Sequence, residues 1–78
     1  MISMTKYYVM YWNDRSDYPV AVFEVDAINE NAAEALAYHA GGYAYEDDWP
    51  VLVETDLTPE TVERYKNQSW KTFYKKVN

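Results

Sequence analysis

The stretch YAYEDDWPVLVETD, residues 43–56, sets three consecutive carboxylates, Glu46, Asp47 and Asp48, beside Tyr43, Tyr45 and Trp49, and adds Glu54 and Asp56 after a short apolar run. Carboxylates at such spacings can hold a hard cation, transfer protons or present a negative surface. Cation binding needs oxygen ligands pointing at one centre, and adjacent residues point in different directions. No D-x-D-x-D-G loop with a distal glutamate is present. His39 is the only histidine and there is no cysteine, so a nitrogen- or sulfur-rich metal site is excluded, and His39 reads as a partly buried residue at a helix end. None of Ser3, Ser16 and Ser69 sits in a G-x-S-x-G elbow, and no glycine-rich phosphate loop occurs. Acid–base work by paired carboxylates needs a partly dry pocket, and a chain of 78 residues leaves little interior for one. The expectation is a protein that is not an enzyme and needs no cofactor or metal.

A negative surface is the remaining use, and the charge distribution favours it. Residues 1–63 hold all thirteen acids against only Lys6 and Arg15, a formal charge of −11; residues 64–78 hold Arg64, Lys66, Lys71, Lys75 and Lys76 and no acid. A body this acidic is repelled by nucleic acid and anionic membranes and attracted to basic surfaces, the commonest of which are built to hold nucleic acid. Charge runs also mark ordinary solvated faces. Against that plain reading stand the near absence of neutralising cations over 63 residues and the interleaving of acids with Trp12, Tyr18, Tyr43, Tyr45 and Trp49, since Tyr and Trp are the residue types that anchor interfaces. The residues assigned to a partner surface are Glu46, Asp47, Asp48, Glu54 and Asp56 with Trp49 and Tyr45 as anchors, joined by Asp14 and Asp17 in a loop and by Glu30 and Glu34 on a helix.

The elements that must position them follow from the pattern. KYYVMYWN (6–13) is a strand with apolar groups on both faces, suited to the centre of a sheet. NDRSDYP is a loop of turn formers, and VAVFEV (20–25) is the second strand of a hairpin. INENAAEALAYHAGG is a helix, capped by Asn29 or by Asn31 with Glu34 and ended by Gly41-Gly42. Its inner stripe is read as Ile28, Ala32, Ala35, Leu36 and His39. VLVET (51–55) is a third strand. Thr58-Pro59 opens a second helix whose inner stripe is read as Val62, Tyr65, Ser69 and Phe73, extended by Trp70 and Val77. The expected fold is one α+β domain over residues 1–78, a two-layer sandwich of topology ββαβα. Its three-stranded antiparallel sheet has order 2-1-3, with both helices on one face. On this scaffold Glu54 and Asp56 stand roughly 6.5–7 Å apart and Glu60 and Glu63 about 5–6 Å apart, intervals comparable with those between backbone phosphates. No signal peptide opens the chain and no apolar run is long enough to span a membrane; a cytoplasmic monomer is expected.

In size, acidity, lack of cysteine and α+β pattern the chain resembles the small phage-encoded anti-CRISPR proteins, in particular the type I inhibitors, type I-C among them. TKYYVMYWNDRSDYPVAVFEVDA and YEDDWPVLVETDLTPETVERY carry the resemblance, which covers the whole chain without a signature motif. It implies a protein acting in the host bacterial cytoplasm that binds the CRISPR surveillance complex. Its acids would occupy a Lys/Arg-lined channel, at the site on the large subunit where the protospacer-adjacent motif is read, and so block target DNA. The alternative is an adaptor or antitoxin-like partner that binds protein through an aromatic surface without imitating DNA. The basic tail from Arg64 departs from a pure DNA mimic, and two roles stay open for it, complementing a helix dipole or pairing with acids of a partner.

Overall fold

From Tyr7 to Trp12 the first strand carries apolar or aromatic residues at every position, and so on both of its faces. A strand of this kind needs cover on both sides. In the computed structural model, which describes residues 3–12, 18–45, 50–67 and 72–78, it has that cover. Strand β1 (Thr5–Trp12) lies between β2 (Pro19–Ala27) and β3 (Val51–Glu54), antiparallel to both. Val9 and Tyr11 join Ala21, Phe23, Val25 and Ala27 in one core with Ala33 and Ala37 of helix α1 (Glu30–His39). Tyr8 and Met10 join Val22 in a second core with Val62 and Tyr65 of helix α2 (Pro59–Asn67). The order 2-1-3 of the first three strands is thus as expected.

Three expectations are corrected. The sheet has a fourth strand, β4 (Phe73–Lys76), which pairs parallel to β2 and makes the sheet mixed, in order β3-β1-β2-β4. Helix α2 accordingly ends at Asn67, and Phe73 belongs to β4 rather than to a helical stripe; Ser69 and Trp70 lie outside the described residues. The helices also cover opposite faces of the sheet, so the molecule has three layers instead of two. The fourth strand explains the third layer. The β2–α1–β3 and β3–α2–β4 units both join parallel strands but move across the sheet in opposite directions, and crossovers of one hand then put their helices on opposite faces.

Local signals set the helix ends. The Asn29 side chain accepts the Ala32 amide at 2.8 Å and is the cap of α1. The Thr58 hydroxyl accepts the Thr61 amide at 3.2 Å at the start of α2. The inner line of α1 is Ala33 and Ala37 with Ala32 and Ala40 beside it, while Ile28, Ala35, Leu36 and His39 are exposed. The expected stripe was rotated by about one residue, because alanines stand all around this helix and leave its phase undetermined. Gly41 takes a φ of 137°, open to glycine alone at little cost. It leads into a 3₁₀ turn, Gly42–Ala44. A Cβ on Gly42 would run into the Tyr11 hydroxyl and lie 2.9 Å from the Ala37 carbonyl, so the turn sits directly against the α1-side core.

The basic tail has a structural use. Lys75 donates to the Ala40 carbonyl at 3.1 Å, at the negative end of α1. The buried Thr72 hydroxyl donates to the Pro19 carbonyl at 2.7 Å. Beyond β4 the Val77 amide donates to the Glu24 carbonyl at 2.9 Å, and the Asn78 side chain both accepts from the Asp26 amide and donates to its carbonyl, at 2.8 and 3.0 Å. An amide side chain thus continues the ladder where the strand stops.

Candidate functional site

Strand pairing decides which acids can act together. Thr5 pairs with Ala27 and Tyr8 with Glu54, so β2 and β3 end on the same side of the molecule. Each then hands the chain to the N-terminus of a helix. Asp26, Glu30, Glu54, Asp56 and Glu60 therefore gather at this end, with Glu34 and Glu63 one turn further along α1 and α2. The layers divide them: Glu30 and Glu34 stand exposed on α1, and Glu54 shares the α2 face of the sheet with Tyr8. The expected surface residues Glu30, Glu34, Glu54 and Asp56 are brought to one end but not onto one flat face. Among the described residues none of these four carboxylates, nor Glu60 or Glu63, is in an ion pair; the ion pair present is Lys6–Glu24.

Of the other expected surface residues, Tyr45 alone is among the described ones. Trp12 and Pro50, which flank the remaining acidic segments, meet at the opposite end of the sheet, where the Trp12 amide donates to the Pro50 carbonyl at 2.9 Å. Asp14, Asp17, Glu46, Asp47, Asp48 and Trp49 themselves lie outside the described residues. Tyr45 is half-buried with its ring 5.7 Å from that of Tyr11 and packs against the α1-side core. That contact gives Tyr45 a packing role, because the turn at Gly41-Gly42 brings the chain back against Tyr11. Trp12 likewise packs against the α2-side core. Exposed aromatic surface instead comes from Tyr43, 62 % exposed, whose ring lies 6.1 Å from that of Tyr38 on the outer side of α1. Glu30, Glu34 and Tyr38 recur at four-residue intervals on that helix and form one stripe.

A second feature was missed in the sequence. Glu24 is the one charged residue in an otherwise apolar β2 core run and is only 7 % exposed. Its Oε1 accepts the Tyr74 hydroxyl at 2.6 Å and its Oε2 lies 3.5 Å from Lys6 Nζ. The Tyr74 hydrogen bond holds the Glu24 carboxyl below the usual carboxylate range; burial opposes this and Lys6 assists. Burial, and then Glu24 itself, push the Tyr74 phenol well above its ordinary value. Such a carboxylate stays ionised and is a poor proton acceptor at neutral pH, so the contact ties β4 to β2. Glu24 also lines a cleft of about 440 Å³ between α2 and the sheet, to which β1, α2 and β4 contribute Lys6, Lys66 and Lys76. A lone glutamate in VAVFEV was a readable signal, since a buried charge demands a partner. Tyr74 could not be named as that partner while its segment was read as helix.

Among the described residues no group of three or more His, Cys, Asp or Glu could hold a metal ion, and no helix is long and apolar enough to cross a membrane. Comparison with protein-family models, with curated proteins and with solved structures gave no match, and the chain's own residues carry the functional reading.

Proposed function

We propose that this protein acts by binding and that its acidic end engages a Lys/Arg-lined groove of a nucleic-acid-handling protein in competition with the nucleic acid. The carrying observation is an asymmetry in the use of charge. Lys6 is paired with Glu24, Lys75 caps α1 and Lys66 lies 5.2 Å from the Tyr74 ring centroid, while Glu30, Glu34, Glu54 and Asp56 have no cationic partner among the described residues. Lys6 and Lys75 are bonded within the fold while these four anions are left unpaired among the described residues, as expected of a surface that steers towards a positive partner. The resemblance to type I anti-CRISPR proteins suggests the partner: a CRISPR surveillance complex, blocked where the protospacer-adjacent motif is read. In that setting the protein would be a non-catalytic inhibitor in the host cytoplasm.

The test is competition between this protein and target duplex for a purified type I surveillance complex. The wild-type protein should displace duplex, and E30K/E34K/E54K/D56K should lose at least about tenfold in potency with an unchanged fold. No binding to the complex, or full potency of the reversed variant, refutes the proposal. The exposed Tyr38–Tyr43 pair favours one other reading, an adaptor that binds protein through aromatic surface. On that reading Y38A/Y43A abolishes binding, the acid reversals do not, and added salt has little effect.

A further inference from the structure

The cleft under α2 stands apart from the acidic end in its charge. Three lysines reach it in a protein whose formal charge is −6. Lys6 is neutralised by Glu24 at 3.5 Å. Lys66 and Lys76 have no carboxylate within ion-pair distance among the described residues; Glu24, which also feels the Lys66 charge, and Glu63 are the acids of the described lining, so three lysines stand against two carboxylates. Tyr8, Leu57, Pro59 and Val62 supply an apolar wall. The volume of about 440 Å³ falls in the range of roughly 300–1,000 Å³ typical of small-molecule sites. The Glu24 side chain in the lining is held in place, because both of its oxygens are engaged.

We propose that this cleft binds a phosphate monoester carrying a planar apolar group. Two ammonium groups delivered by separate elements, α2 and β4, suit a compact dianion. Lysine meets phosphate as a point charge, whereas a carboxylate is gripped best by the planar fork of arginine, and among the described residues no arginine lines this cleft. The apolar part of the lining, Tyr8, Leu57, Pro59 and Val62, gives a ring a surface to lie on. The site is independent of the proposed acidic interface, and neither depends on the other being right.

Phenyl phosphate, benzoate and inorganic phosphate should be titrated separately into ¹⁵N-labelled protein. Phenyl phosphate should give saturable amide shifts at Lys6, Glu24, Val62, Lys66 and Lys76, with a Kd in the millimolar range and at least about threefold tighter than either other probe. K66Q/K76Q, which changes only exposed side chains, should raise that Kd by about tenfold or more while leaving the unliganded spectrum elsewhere intact. Absence of saturable shifts, shifts centred on other residues, equal binding of benzoate, or unchanged affinity in K66Q/K76Q overturns the proposal. A misfolded double variant is replaced by K66Q alone, for which any measurable weakening supports the site and none overturns it.

Discussion

Glu24 and Tyr74 are separated by fifty residues of chain, and a buried carboxylate meets a phenol in their 2.6 Å contact. A hydrogen bond to a charged group contributes about 1.5–3 kcal/mol, and here loss of the donor would leave the carboxylate buried with Lys6 alone. Tyr74→Phe should therefore destabilise the fold by about 1.5–3 kcal/mol at neutral pH. The pH dependence follows from the direction of each shift. Because the Glu24 carboxyl is held below its ordinary value of 4.5, its contribution is complete above that value and disappears as pH falls through the lower folded value. Because the Tyr74 phenol is raised above its ordinary value of 10.0, that stabilisation is present below 10.0 and fades as pH rises beyond it. Urea unfolding across the pH range should show the wild type and Tyr74→Phe furthest apart in the neutral region and converging at both extremes. A constant gap would mean that the ring, not the hydroxyl, provides the stability.

At the scale of elements, what was legible in the sequence was whatever has a local cause. β1 read as a central strand because both of its faces are apolar, and it is central. Asn29 and Thr58-Pro59 mark helix starts through bonds made within one turn. β4 was not legible because Phe73 and Val77 sit four residues apart, a spacing that puts two side chains on one side of a helix and, being even, on one face of a strand as well. What decides between the two is the distant β2, to which Thr72, Val77 and Asn78 are bonded. The acidic surface was legible in composition alone: Glu30, Glu34, Glu54 and Asp56 do reach one end, but their division between layers depends on the crossover that the missing strand imposes. Thr72 offers a direct test of how much β4 relies on long-range bonds. Its hydroxyl is buried, with the residue only 1 % exposed, and is bonded to the Pro19 carbonyl. Thr72→Val keeps the shape and leaves that carbonyl without its donor, which should cost about 1–3 kcal/mol. Hydrogen exchange should show the Val77 and Asp26 amides losing protection before the β1–β2 amides do. Equal loss across the sheet would show that β4 unfolds only with the whole molecule.

Across the described part of the molecule the sheet is flanked by two helices whose N-termini share one end, and that end collects most of the described acids. Part of this arrangement serves the fold, since Glu30 and Glu60 stand in the first turns of α1 and α2, where a negative charge complements the helix dipole. Glu34, Glu54 and Asp56 have no such excuse: they are beyond the first turn or outside the helices and are paired with no cation among the described residues. If their role is to meet a partner, their mutual repulsion is a burden on the isolated protein, in the way that functional charge commonly opposes stability. Neutralising them as E34Q/E54Q/D56N should then stabilise the fold by a few tenths to about 1 kcal/mol at low ionic strength. The gain should shrink as salt rises and the screening length falls from about 30 Å at 0.01 M to about 3 Å at 1 M, while the same triple variant loses affinity for the basic partner at every salt concentration at which binding is measurable. Chemical unfolding in a salt series separates the outcomes. A variant that is less stable than the wild type at low salt would place these carboxylates among the groups that hold the fold together, and the acidic end would then need no partner to account for it.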